Sequence, residues 1–280
     1  MPIHFAGAGS HAPGMKAWTE AADVTQKDNL FNGYARLRAE LAASGADILV
    51  VLTSEHWVNF FLDHISAFCI GRGTSFQGPV EPWLRVPQVK IQGDEAFADS
   101  LITALYDNDF EPSFSQEMAL DHGTMVPLHF IDPEARLPIV PIMFNTLAAP
   151  QPSAKRALEF GRILGEVARR SGRRVGFIAT GGLSHDPGER GHGRIDQDFD
   201  RRFLERMADA DLTGLASYTS ADFAAAGAGA FELLAWVALA GALGERRPDI
   251  VAYEAVPPWA TGVGLVSYAK SLGITPPAAA

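Results

Sequence analysis

The chain has 280 residues, of which 47% are apolar and 20% charged, and a composition of this kind is typical of a globular protein with a sizeable core. Its formal net charge of -10 argues against nucleic-acid and membrane partners, because these need clustered Lys and Arg. A single cysteine, Cys69, excludes an internal disulfide, and residues 1–5 lack the features of a signal peptide, so we expect a cytoplasmic protein.

Predicted strands and helices alternate along the chain. In chain order we first predict a strand that ends before His11, a helix over 28–44, strands over 48–52 and 65–70, and a loop over 74–87. Helices over 94–106 and 120–131, a strand over 137–144 and a helix over 153–170 follow. The last predicted elements are a strand from 175, a polar loop over 186–193, helices over 195–207 and 228–244, and a strand over 262–268. The near-continuous apolar strands favour a mostly parallel sheet with helices on both faces. We therefore expect one α/β domain over residues 1–280, with a frayed tail at 278–280.

Histidines follow three of the predicted strands. His11 comes after a run of small residues, His56 after the apolar run 48–52, and His185 after a Gly-Gly pair. The carboxyl ends of parallel strands meet at one edge of a sheet, so these imidazoles can share one pocket. Taken singly, His11 and His56 are weak evidence and are more typical of histidines that are hydrogen-bonded at a strand end.

Glu232 is the more specific signal, because the helix around it is apolar nearly all round. A buried carboxylate costs several kcal/mol unless it is paired or binds a metal ion, whereas a carboxylate at the start of the helix would lie half in water. Two imidazoles, His11 and His56, together with one carboxylate form the ligand set typical of non-haem Fe(II) oxygenases. The same set also fits zinc.

His185 and His122 remain as candidate acids or bases, because histidine titrates near neutral pH. The alternative for His122 is a simple Asp-His-Gly turn. The other histidines are interpreted as core, edge or loop residues: His4, His64, His129 and His192. The sequence has neither the G-x-G-x-x-G pattern of a dinucleotide fold at 181–182 nor a G-x-S-x-G elbow around Ser184.

Five short motifs, in order along the chain, resemble the class III extradiol dioxygenases. They are Ser10-His11-Ala12-Pro13, Glu55-His56, the segment 120–128 (LDHGTMVPL), the segment 180–185 (TGGLSH), and Phe231-Glu232-Leu233 followed by Trp236 and 241–243 (GAL). This family includes the catalytic β subunit of protocatechuate 4,5-dioxygenase and the 2,3-dihydroxyphenylpropionate dioxygenases. The resemblance covers roughly residues 3 to 270.

The resemblance implies an oxidoreductase that opens an aromatic ring with both atoms of O2. It implies Fe(II) rather than zinc, with His11, His56 and Glu232 as ligands. His185 corresponds to the catalytic acid/base, and His122 to a second histidine that contacts the substrate or the bound oxygen. The implied substrates are a catechol, an aminophenol or a dihydroxypyridine.

The segment 256–262 (VPPWATG) departs from the family pattern. Where the protocatechuate enzymes have small polar residues, this chain has Trp259, which argues against protocatechuate itself; we expect Trp259 and Thr261 to line the substrate pocket. No spare segment corresponds to a small α subunit, so the segment 74–87 closes the pocket, or the chain forms a homo-oligomer, or a separate α subunit binds. Two further hypotheses remain open, a zinc-dependent enzyme on the same scaffold and a non-enzymatic binding protein that retains the fold.

Overall fold

An eight-stranded sheet runs through the centre of the protein in the computed structural model, which describes residues 3–275. The ten strands of this part of the chain are β1 (Phe5–Gly9), β2 (Ile48–Ser54), β3 (Phe68–Gly71), β4 (Ser75–Gly78), β5 (Val89–Gln92), β6 (Ser113–Ser115), β7 (Ile139–Phe144), β8 (Val175–Thr180), β9 (Asp249–Val256) and β10 (Thr261–Ser267). The large sheet has the order β6-β3-β7-β2-β8-β1-β10-β9, and β4 and β5 form a separate antiparallel pair. The tail predicted at 278–280 lies outside the described residues.

Four neighbouring strands, β7, β2, β8 and β1, run parallel, and every residue in them is buried. On one side β10 and β9 follow antiparallel, and on the other β3 pairs antiparallel with β7 and parallel with β6. The predicted mostly parallel sheet is therefore confirmed. Because β10 runs against β1, its first residue lies at the edge where β1, β2 and β8 end.

Helices cover both faces of the sheet. The described helices are α1 (Gly14–Ala17), α2 (Val24–Ser44), α3 (Glu95–Tyr106), α4 (His122–Ile131), α5 (Ala154–Arg170), α6 (Gln197–Ala208), α7 (Leu212–Ala216), α8 (Ser220–Ala226), α9 (Leu233–Leu243) and α10 (Ala269–Leu272). Alternate residues of β2 pack into two separate cores: Val50 and Leu52 pack with α3, α5 and α9, while Leu49 and Val51 pack with α2 and α4. Among the helices described, none is long and apolar enough to cross a membrane.

The helix α9 is buried all round because it lies between α5 and the sheet. The two helices approach so closely that a Cβ on Gly161 would lie 1.8 Å from the carbonyl oxygen of Ala238. A short 3-10 turn, Ala228–Glu232, leads into α9. This packing holds the start of α9 against the edge of the sheet where the parallel strands end.

Several predicted boundaries changed. The segment 74–87, predicted as a loop, contains β4 and a 3-10 turn, Pro82–Leu84. The prediction was therefore wrong for the first part of the segment, where the side chain of Phe76 in β4 is buried. The strand β9, which lies at the edge of the sheet and is only partly buried, was missed although its residues 250–253 (IVAY) are apolar. The predicted N-cap of α5 is confirmed, since the Ser153 side chain accepts a hydrogen bond from the backbone N–H of Arg156.

Candidate active site

The three strand-end histidines share one cavity of about 350 Å³. His11 lies two residues beyond β1, His56 two residues beyond β2, and His185 five residues beyond β8. His122, the first residue of α4, and Glu232, which directly precedes α9, line the same cavity. A larger cleft of about 570 Å³ lies beside β4 and β5, but no histidine lines it. The chemistry-bearing side chains thus meet in the smaller, better enclosed cavity.

The carboxylate of Glu232 lies between the imidazoles. Its Oε2 is 3.0 Å from Nε2 of His11, and its Oε1 is 3.2 Å from Nε2 of His56. Glu232 is 4% exposed, so the half-hydrated alternative for this residue does not hold. The buried Nε2 of His11 forms no hydrogen bond despite this distance. Two ligand atoms at about 2.1 Å from one ion and at right angles to each other lie about 3 Å apart, so the three side chains fit a metal ion.

All four cavity histidines bind the surrounding protein through Nδ1. His56 donates to Asp121 Oδ2 (2.9 Å), and His122 donates to Glu81 Oε1 (2.6 Å). Similarly, His185 donates to the carbonyl oxygen of Leu183 (2.8 Å), and His11 to the hydroxyl of Thr180 (3.1 Å). These partners favour the tautomer that keeps the proton on Nδ1 and leaves a lone pair on Nε2. A neutral imidazole held in this way presents its Nε2 electron pair to the cavity.

Burial and charge oppose each other in this cluster. Burial lowers the pKa of His11. Burial also lowers the pKa of His56, but the carboxylates of Asp121 and Glu232 outweigh it and leave that pKa well above its ordinary value. For Glu232, burial raises the pKa, but the neighbouring His11 and His185 outweigh it and lower the pKa well below the usual range. The carboxylate is therefore ionised, as a metal ligand must be.

A second set of possible ligands includes His122. One nitrogen from each of His11, His56 and His122 lies within 4.8 Å of the other two. The ring centroids of His56 and His122 are 4.1 Å apart. Both sets share His11 and His56, and they differ in whether Glu232 or His122 completes the site.

The rest of the cavity wall is mostly apolar. Trp259 and Thr261, predicted for the substrate pocket, both line it, and Trp259 is only 5% exposed. Trp18, which sequence analysis missed, lines it as well. His192, expected on a loop surface, is exposed but reaches the rim of the cavity.

A sequence model described as the catalytic LigB subunit of aromatic ring-opening dioxygenase matches residues 7–264. The chain belongs to this family. It is 29% identical to a 2,3-dihydroxyphenylpropionate/2,3-dihydroxicinnamic acid 1,2-dioxygenase of Burkholderia vietnamiensis, over 94% of this chain and 96% of the relative. It is 26% identical to the enzyme of the same name from Photorhabdus laumondii, over 92% and 95%. A solved structure of an uncharacterized Escherichia coli K12 protein shares the fold, with a TM-score of 0.60, 16% identity, and coverage of 94% and 98%.

Membership of the dioxygenase family confirms the predicted enzyme class and the predicted resemblance. The hypothesis of a non-enzymatic binding protein is therefore set aside. The family match spans β1 to β10 and so includes all the residues that line the base of the cavity.

Three side chains behind the histidines of this ring-opening dioxygenase were not assigned a role from the sequence: Thr180, Asp121 and Glu81. Asp121 is fully buried and stands next to His122 in the chain, so the Asp-His pair was a usable signal. Glu81 follows a Gly- and Pro-rich stretch and has no local pattern that marks it. It reaches His122 only because the segment 79–85 folds over α4.

Proposed function

We propose that this protein is a non-haem Fe(II) dioxygenase that opens the ring of a catechol, an aminophenol or a dihydroxypyridine beside the diol, with both atoms of O2 entering the product. One observation carries the proposal: Nε2 of His11 and Nε2 of His56 lie within 3.2 Å of the two oxygens of one buried carboxylate, Glu232. This is the two-histidine, one-carboxylate arrangement of non-haem Fe(II) oxygenases.

His11, His56 and Glu232 would hold the ion. Bound there, Fe(II) supplies the redox chemistry that couples an electron-rich diol to O2. The protein contributes the orientation of the ligands, because Asp121 and Thr180 hold the Nδ1 atoms of His56 and His11.

His185 is placed to act as the acid/base. Its Nδ1 proton is held by the Leu183 carbonyl, so its Nε2 is free to accept a proton from a substrate hydroxyl and to return it to the product. This Nε2 is 3.6 Å from Oε1 of Glu232, which is one of the proposed metal ligands. The Nδ1 of His122 is held by Glu81, which leaves its Nε2 to contact an oxygen of the substrate or of O2.

The substrates named for the two relatives suggest a 2,3-dihydroxylated ring. We also propose that the whole chain, 1–280, acts as one catalytic domain. We also propose a homo-oligomer, or a separate small α subunit at the mouth of the cavity, where Trp18 (44%) and Trp83 (48%) are exposed. The cytoplasm is the proposed location, since one cysteine is compatible with a reducing compartment.

The decisive experiment is oxygen uptake by protein reconstituted anaerobically with Fe(II). The panel contains catechol, protocatechuate, gallate, 2,3-dihydroxyphenylpropionate, 2-aminophenol and a dihydroxypyridine, with absorbance recorded for a ring-opened product. Uptake of one O2 per substrate, together with that product, supports the proposal. Stoichiometric iron without uptake or product on any ring would contradict it.

A zinc enzyme on the same scaffold is the second candidate. The convergence of His11, His56 and His122 favours it, because three histidines are a common catalytic zinc set. Metal analysis of protein purified without added metal, followed by activity measurements with Fe(II) and with Zn(II), separates the two. Activity that requires Zn(II) would favour this candidate.

A further inference from the structure

The cavity wall lacks a positive charge suited to bind a substrate carboxylate. Its ionisable side chains are Glu232 and the histidines, and no lysine or arginine of the described residues lines it. A second carboxylate, Glu81, lies directly behind His122, 2.6 Å from its Nδ1. His192 is the one basic group of the wall outside the four inner histidines, and it is exposed at the rim. A substrate carboxylate buried along this wall would find no Lys or Arg to pair with it, which is costly.

The same wall offers a rigid apolar surface. Trp259 packs directly on Gly14, where a Cβ would lie 2.4 Å from the indole, and its Nε1 donates to the carbonyl oxygen of Trp18 at 3.4 Å. Pro13, Pro187 and Pro258 also line the cavity. These contacts keep Trp259 in one position, so it acts as a fixed wall rather than as an adaptable side chain.

An aromatic shelf, formed by Trp18 and Trp83, continues this surface to the mouth of the cavity. The two rings stack with centroids 6.1 Å apart and an angle of 25° between them, and both are nearly half exposed. Covering exposed aromatic surface beside a cavity with an apolar group is favourable, because it removes apolar area from water. The shelf and Trp259 together form one apolar path from the inner histidines to solvent.

We propose that the substrate is a catechol or aminophenol whose ring carries an uncharged apolar substituent, aryl or alkyl, that lies against Trp259 and the aromatic shelf. This inference rests on the proposed ring-opening function and narrows its substrate class. The hydroxyl groups face the inner histidines and Glu232, while the substituent extends along the tryptophans. A substituent that ends in a carboxylate is disfavoured, because the wall provides no Lys or Arg to pair with it.

A matched set of ligands tests the charge directly: 2,3-dihydroxyphenylpropionate, its methyl ester and 3-phenylcatechol, with unsubstituted catechol as the reference. Two readouts are used with the full chain. One is kcat/KM with Fe(II), and the other is the Kd for the anaerobic Fe(II) protein, measured by tryptophan fluorescence. We expect the ester and 3-phenylcatechol to bind and react at least about tenfold better than the acid, because no Lys or Arg of the wall pairs with the carboxylate. A tenfold change corresponds to 1.4 kcal/mol. A preference for the acid in Kd would overturn the inference.

Two variants test whether Trp259 and Trp18 cause the preference for an uncharged substituent. Trp259→Ser should weaken binding of 3-phenylcatechol at least about tenfold more than it weakens binding of unsubstituted catechol. Trp18→Arg, at a half-exposed position that tolerates a polar side chain, should shift the preference towards the acid; Tyr106→Arg, which replaces an exposed aromatic on α3 away from the cavity, is its matched control. An unchanged ranking in both Trp variants would contradict the inference. Absence of turnover on every ring, with the ranking of Kd values intact, would instead contradict the ring-opening function alone.

Discussion

Asp121 lies directly behind His56, with its Oδ2 2.9 Å from Nδ1 of the imidazole. The same carboxylate caps α4, since its Oδ1 accepts the backbone N–H of Gly123 at 2.9 Å. Burial raises the pKa of Asp121, but His56 outweighs it and lowers that pKa to about 2, so the carboxylate is ionised across the physiological range. One side chain thus links the start of a helix to the orientation of a proposed ligand.

We therefore predict that Asp121→Asn lowers metal affinity about 10- to 100-fold, the usual effect of removing a partner that orients a ligating histidine. Asn can still cap α4 through its carbonyl oxygen, so circular dichroism should be unchanged. Competition with a chelator measures the affinity. Asp94→Asn, at the equivalent capping position of α3, is the control and should leave metal binding unaltered. An unchanged affinity in the Asp121 variant would show that this contact does not support the site.

The two possible ligand sets make opposite predictions for Glu232 and His122. With Glu232 as a ligand, Glu232→Gln and Glu232→Ala should lose stoichiometric iron, while His122→Ala keeps it. Metal content after reconstitution and gel filtration gives the answer. The reverse result, iron retained by the Glu232 variants and lost from His122→Ala, would assign the site to the three histidines instead.

His185→Phe and His185→Gln should retain iron but lose turnover by about a hundredfold or more, because a general acid/base contributes at least this much. Two variants are needed because His185 packs tightly: a Cβ on Gly229 would lie 2.1 Å from its ring, so the larger Phe could displace this loop. Stopped-flow absorbance under single-turnover conditions isolates the ring-opening step. Wild-type rates in the Gln variant would remove His185 from the catalytic machinery.

Asp200 gives a pH-dependent prediction. This buried carboxylate accepts hydrogen bonds from the Ser184 N–H and hydroxyl and from the Tyr253 hydroxyl, and burial raises its pKa to about 6, with Asp196 adding to the shift. Because the folded pKa is raised, the stabilisation that Asp200 provides is fully present below about pH 4 and is lost as the pH rises through about 6.

Asp200→Asn stays neutral at every pH, so its free energy of unfolding relative to wild type should rise by about 2–3 kcal/mol between pH 4 and 7. Urea unfolding at half-unit intervals measures the difference. Asp198→Asn, on the exposed side of α6, serves as the control and should give a flat difference. A flat difference for Asp200→Asn as well would mean that Asp200 ionises normally in the folded state.

The contact between α5 and α9 yields a stability prediction. Gly→Ala in the middle of a helix is ordinarily stabilising by about 1 kcal/mol, but the Cβ of Gly161→Ala would press against the Ala238 carbonyl. The helices must separate, so we expect a loss of about 1–3 kcal/mol in urea unfolding. Glu159→Ala, exposed on the same helix, should change stability by less than about 0.5 kcal/mol. A stabilised Gly161→Ala would show that the helices can move apart freely.

The sheet and the shared cavity were predictable because they follow from local patterns. Apolar runs predict buried strands, parallel strands place their carboxyl ends on one edge, and His11, His56 and His185 follow such strands. Glu232 was recognisable because a carboxylate is rare in a helix as apolar as α9. By contrast, the edge strand β9 was missed although its residues 250–253 are apolar, because its pairing with β10 depends on the tertiary structure.

The amino-acid sequence by itself determined the α/β fold, the family and the histidine and glutamate side chains that meet at one edge of the sheet, because these depend on short patterns along the chain. Only the tertiary structure decided that Glu81 holds His122, that Asp121 orients His56, and that Trp18 and Trp259 form an apolar wall without Lys or Arg. Those contacts join loops that are far apart in the chain. Their geometry depends on how several packed elements place each loop, and no local periodicity records it.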